Sequence, residues 1–268
     1  MITTFEHHEQ ASNRVRVSLR HDAGLLTTLA TIFVISTWWT VRACAQMSMN
    51  GMSMPGGWNM SMAWMRMPGQ TWPEATASFM GMWTVMMAAM MVPCAAPMLL
   101  AYRRADDGSH GAVKTLLAAA GYGTIWILAG ALAYALGIPI AYAEMRHDAL
   151  STAAPWTSAV LVLIVGAAQF SGWKRRRLAR CRVGCAGATP NGMKGAFRHG
   201  LQMGIGCGRC CGGLMLILLV TDVMNLGIMA AVTVAVTAER LLPNPAVVSR
   251  IVGVVVIAAG ISMLCRII

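Results

Sequence analysis

Seven long apolar runs alternate with short polar stretches along the chain, at 24–43, 77–101, 113–140, 155–173, 197–220, 223–242 and 247–265. A helix needs about 20 apolar residues to cross a hydrocarbon core of about 30 Å. Backbone at that depth must satisfy its own hydrogen bonds, which a helix does within one segment. The pattern therefore predicts an all-α fold: a polytopic membrane helix bundle of about seven transmembrane helices. Residues 1–23 form a polar tail that leads directly into the first run with no cleavable signal peptide evident. Residues 24–268 then form one bundle, and the tight polar turn at Thr221-Asp222 predicts that the fifth and sixth runs pack as a hairpin.

Composition agrees with that reading. Hydrophobic residues make up 57% of the chain and charged residues 12%, against about 25% charged in a typical soluble domain. The net charge of +11 raises the question of a polyanionic partner. The charges fall in short loops between apolar runs, so nucleic acid is excluded as a partner and loop bias is the reading. Sixteen of the 21 Lys and Arg lie in the tail, the 102–112 loop with Lys114, the basic 174–196 loop with Arg198, and the 243–250 loop with Arg240. Basic loops stay cytoplasmic, which puts the N-terminus inside, the C-terminus outside, and residues 44–76 on the extracytoplasmic face.

Eight cysteines and 23 methionines change the picture from scaffold to chemistry. In the fifth run Met203, Cys207, Cys211 and Met215 follow one another at i, i+4, i+8 and i+12, flanked by Cys210 and His199, so one helix face carries sulfur along its length. Soft thiolate and thioether ligands select Cu(I), with zinc as the usual competitor. The second run repeats the theme with Met86, Met87, Met90, Met91 and Cys94, and Pro93 and Pro97 interrupt its backbone hydrogen bonding near Cys94. Counted at 1.5 Å per residue, both sulfur clusters reach the middle of the membrane, where they are expected to share one ion.

The outer loop 44–76 holds four Met-x-Met pairs, Met47/Met49, Met52/Met54, Met60/Met62 and Met65/Met67, in a Gly- and Pro-rich setting. Packing alone accounts poorly for four such pairs, and soft-metal capture is expected there, because a thioether has no proton to lose and resists the oxidation that claims thiols. On the basic side Cys181 and Cys185, with His199, form a candidate exit site. Arg209, Asp222, Asn225 and Glu239 are expected as buried polar groups, with Glu239 paired to Arg240 or to headgroup-level bases. Cys44 and Cys265 sit at one level, which leaves a disulfide between them open.

The segments Met62-Ala63-Trp64-Met65 through Pro68-Gly69-Gln70-Thr71-Trp72, Met82 through Pro93, Cys207 through Cys211 with Met215, Met224-Asn225-Leu226 and Glu239 together resemble a set of bacterial predicted metal-binding integral membrane proteins, defined by a domain of unknown function. The resemblance covers about 60–242 and implies a multi-pass protein of the bacterial inner (cytoplasmic) membrane with a bound metal. Arg209 departs from it, since a small residue is expected between those cysteines. The doubled Met-x-x-x-Met of the second run is also similar, over one turn, to the pore methionines of eukaryotic high-affinity copper transporters.

The leading expectation is an integral membrane copper(I)-binding protein. It captures soft metal on the outer methionines and holds it at a mid-membrane Met/Cys site, for transport or for delivery to a metallochaperone or a copper enzyme. A thiol–disulfide oxidoreductase using Cys207 and Cys210 is the alternative of another class, and a metal-bearing accessory subunit of a membrane oxidase is the third. Transport or delivery rather than catalysis is the expected role.

Overall fold

The computed structural model describes the backbone of residues 2–48, 52–54, 58–60, 64–66, 69–105, 110–183 and 192–267, and the side chains of those stretches except 2–21, 47–48, 52–53, 59–60, 180 and 182–183. Helix α1 spans Ile2–Ser48, so the polar N-terminal segment continues the first apolar run as one helical backbone. It is followed by α2 (Trp72–Ala105), α3 (Gly111–Arg146), α4 (Asp148–Ala168), α5 (Gly172–Val183), α6 (Gly192–Thr221), α7 (Leu226–Leu241) and α8 (Pro245–Ile267). Between α1 and α2 a short antiparallel hairpin pairs β1 (Met52–Met54) with β2 (Trp58–Met60), Met52 opposite Met60 and Met54 opposite Trp58.

Among the described residues, six helical stretches are long and apolar enough to cross a membrane: Asp22–Gln46 of α1, and α2, α3, α4, α6 and α8. The seventh expected span is α7. Its 16 residues rise only about 24 Å, because the first residues of that run form the turn at Asp222 and the cap at Asn225 instead of helix, and Glu239 and Arg240 in the last turn are buried inside the protein. The fourth run also ends earlier than expected. The chain turns at Gln169 and re-forms as α5, a 12-residue basic helix that packs on α6. Outward-facing Val34, Ile35, Leu128, Leu132, Ile164, Val254 and Val255 are exposed in a belt that suits lipid rather than water.

Small residues set the closest contacts. A Cβ on Gly200 of α6 would stand 2.0 Å from the Ala118 carbonyl oxygen of α3, and one on Gly121 would stand 2.3 Å from the Phe197 oxygen. Backbones approach this closely only where side chains are absent, and the contact fixes the height of α6 against α3. Neither partner atom belongs to a flexible side chain, so Gly200→Ala is expected to cost about 1–3 kcal/mol or more by overpacking. A fall in the unfolding midpoint of the detergent-solubilised protein checks this, and an unchanged midpoint would mean that α6 slides freely on α3.

Polar contacts fasten the two ends of the bundle. At the basic end Arg104 Nε meets Asp22 Oδ2 at 3.0 Å, Ser249 Oγ donates to the Gln169 carbonyl at 2.9 Å, and Lys174 Nζ meets Glu239 Oε2 at 2.8 Å. At the opposite end Ser158 Oγ donates to the Val220 carbonyl at 2.7 Å. Asn225 caps α7 by accepting from the Ile228 amide at 3.1 Å, so α6 and α7 form the expected hairpin. The β-hairpin lies over this end, where Trp58 Nε1 donates to the Ser151 carbonyl at 3.0 Å and Met54 is buried with Ala141, Trp64 and Met145 around it.

Candidate metal centre

Sulfur of α2 and α6 shares one buried core. Proline at 93 and 97 leaves α2 helical, with Cys94 fully buried in the same apolar core as Cys207 of α6. Cys207 and Cys211 occupy successive turns of α6, with Sγ atoms 3.9 Å apart. Tyr122 of α3 donates its hydroxyl to Cys207 Sγ at 3.2 Å. The Gly121 and Gly200 contact brings the two helices close enough for this bond, so the small-residue seam serves the site directly. Among the described residues, no three His, Cys, Asp or Glu side chains converge into a ready-made ligand set. A soft ion here would rest on two thiolates, with any further ligand supplied by adjustment or by a thioether.

Charge at the site comes from α7. Arg240 is buried, lies within electrostatic reach of Cys94, Cys207 and Cys211, and directs Nη1 at Met98 Sδ of α2. Among the described residues, its Nε and Nη2 have no hydrogen-bond partner, and neither does Glu239 Oε1. Glu239 pairs with Lys174 of α5 rather than with Arg240, and the same ammonium also donates to the Cys210 carbonyl. Arg209, expected in the buried interior, is exposed and lines the wall of a cavity that Cys207 also borders. Asn225 is likewise exposed, and Asp222 is half-buried, with Oδ1 accepting from the Met224 amide at 2.9 Å.

The remaining predicted ligands divide. Cys210 is joined to Cys181 of α5 in a disulfide, with Cα atoms 7.3 Å apart, a bond between helices in place of the Cys207–Cys210 pairing that the alternative reading would use. Cys185 lies outside the described residues. Met203 is buried beside Cys207, while His199 is half-buried and stacks on Tyr102 at 5.1 Å. Met86, Met87, Met90 and Met91 are all buried in the core between the two ends. In the outer loop Met54 is packed into a small apolar cluster, with half-buried Met65 beside it. The side chains of Met47, Met49, Met52, Met60, Met62 and Met67 lie outside the described residues. Cys44 and Cys265 are both free cysteines, the first buried and the second exposed, so no disulfide joins them.

Access to the thiols is from the basic end. A cavity of about 320 Å³ is lined by Met98, Arg177, Cys181, His199, Met203, Cys207 and Arg240, among others. Its wall is thus made of thiol, thioether, imidazole and guanidinium groups, and Cys207 lies where cavity and thiol cluster meet. Met98 continues at i+4 the sulfur stripe of Met87, Met91 and Cys94 that helical spacing shows, whereas Tyr122, Lys174 and Arg240 are not legible as parts of this site. Of these three only Arg240 carries a signal, as a cation at the end of an apolar run.

No curated protein and no solved structure matches the chain. The family model of the PpoB2 copper chaperones does, over residues 80–263, which takes in every helix of the thiol cluster and the cavity. By that match the chain belongs to the PpoB2 copper chaperone family.

Proposed function

We propose that the chain is a membrane-embedded copper(I) chaperone that holds its cargo on Cys207 and Cys211, with Cys94 or Met203 in reserve, and releases it through the cavity at the basic end. Arg240 carries this reading. A buried guanidinium with two nitrogens unpartnered among the described residues is costly to leave without an anion. Three thiols lie within its reach. One Cu(I) on two thiolates has a single net negative charge, which the guanidinium neutralises, so ligand set and counter-charge match. Binding then releases the two thiol protons, and the buried Lys174–Glu239 pair, being neutral overall, leaves that balance undisturbed.

The orientation follows from the basic loops. With that end in the cytoplasm of a bacterial inner membrane, the chain takes copper from the methionine-rich side and gives it to a metallochaperone or a copper enzyme. Expected of Arg240→Met is a roughly 10–100-fold weaker hold on Cu(I), the size of effect seen when a partner of a metal ligand is lost. The metal-free variant should be no less stable than the parent, since two orphaned donors leave with the guanidinium. Anaerobic Cu(I) titration against a chromogenic chelator, alongside unfolding of both metal-free proteins, measures the two. Unchanged affinity would remove the charge argument, and with it the main support for a thiolate-held copper.

A further inference from the structure

A second group of sulfur atoms lies at the other end of the bundle, on three different elements. Cys44 of α1 places its Sγ 3.9 Å from Met224 Sδ, in the turn before α7, and 4.0 Å from Met229 Sδ, in the first turns of α7. All three residues are buried. Metal–sulfur bonds to a soft ion run about 2.3 Å, so three sulfurs around an ion in a plane stand about 4.0 Å from one another. Both measured edges have that length. Met224 is held by the bond from its amide to Asp222 Oδ1, and the same carboxylate lies within electrostatic range of Cys44, adding negative charge beside the group.

We propose that Cys44, Met224 and Met229 form a second site for a soft monovalent cation, Cu(I) by biological supply, on the methionine-rich side of the bundle. One thiolate and two thioethers give a neutral complex with Cu(I). The group therefore needs no buried counter-ion of the kind Arg240 supplies. Its position suits a loading site. The Asp22–Arg104 bridge sets the register of antiparallel α1 and α2 at the basic end, and counting equal numbers of residues along both helices brings Cys44 level with Met82. From Met82 to Cys94 the rise along α2 is about 18 Å, and Met86, Met87, Met90 and Met91 lie buried in that interval. Loading site, methionine ladder and thiol cluster form one line of sulfur through the protein.

Buried cysteine and methionine also serve as plain packing, and the test separates the two roles. Cys207→Ser/Cys211→Ser isolates the proposed site in the full-length protein. Titrated anaerobically with Cu(I), and in parallel with Ag(I) as a redox-inert probe, that variant should retain one ion. Adding Met224→Leu/Met229→Leu keeps volume and apolar character, so the bundle should stay folded, yet the retained ion should be held at least roughly tenfold more weakly. Adding Cys44→Ser should abolish it. A Cys207→Ser/Cys211→Ser protein that binds no ion, or whose ion is held equally well after both methionines become leucine, overturns the second site and leaves the thiol cluster standing. An ion count undiminished by Cys207→Ser/Cys211→Ser counts against the thiol cluster instead, and the leucine variant still decides the second site.

Discussion

Serine at both Cys207 and Cys211 is expected to lower the affinity of the thiol cluster for Cu(I) by more than about 100-fold. Losing a mere partner of a ligand costs about 10–100-fold, and this change removes both ligands on which the ion would rest. A hydroxyl is a hard, weakly acidic donor, whereas a thiolate is soft and becomes available at far lower pH. The folded protein should tolerate the exchange, because the oxygen fits the space of the sulfur and keeps a hydrogen-bonding group beside Tyr122, whose hydroxyl now donates to Cys207 Sγ. Anaerobic competition with a Cu(I) chelator gives the affinity, and X-ray absorption at the copper edge gives the ligands. Sulfur-only scattering should be seen in the parent. Parent-like affinity in the double serine protein would place the copper elsewhere in the chain.

The effect rests on residues that were legible in the sequence and on neighbours that were not. Helical spacing alone puts Cys207 and Cys211 on one face of α6, and apolar length alone predicts α2 and α6 as long helices, so two parts of the cluster could be read directly. Spacing says nothing of which face turns inward when a helix is sulfur-rich on more than one side. Cys210 was therefore grouped with its neighbours, although it faces α5 and bonds to Cys181. The same ambiguity reversed the roles of the arginines. Arg209 stands between cysteines in the sequence but on the exposed face in space, while Arg240, from a different helix, reaches the thiols.

The shortness of α7 has another origin, since an apolar run does not mark where its helix starts, and Asp222 and Asn225 draw the first residues of this run into a turn and a cap. Contacts between residues far apart in the chain leave no periodic trace at all. Cys44 meeting Met224 and Met229, and Lys174 meeting Glu239, belong to that class.

Glu239→Gln is expected to destabilise the protein by about 3–5 kcal/mol, because it leaves the Lys174 ammonium buried without a counter-charge. The side chains of the pair are 7% and 2% exposed, so water cannot take over. The pair joins α5 to α7, and the same ammonium donates to the Cys210 carbonyl of α6, so three helices are linked at one nitrogen. Breaking a buried pair and replacing it have different consequences. Lys174→Met/Glu239→Leu removes both charges, and apolar substitutes of similar volume are often neutral in such places, so this double variant should recover most of the loss. The coupling energy of the pair is the loss in the double variant minus the losses in Lys174→Met and Glu239→Leu alone, all read from unfolding in mixed micelles. If Glu239→Gln unfolds at the parent midpoint, Lys174 has found water, and α5 does not seal the basic end of the bundle. If the double variant is as weak as the single one, the helices are held by the hydrogen bond to Cys210 rather than by charge.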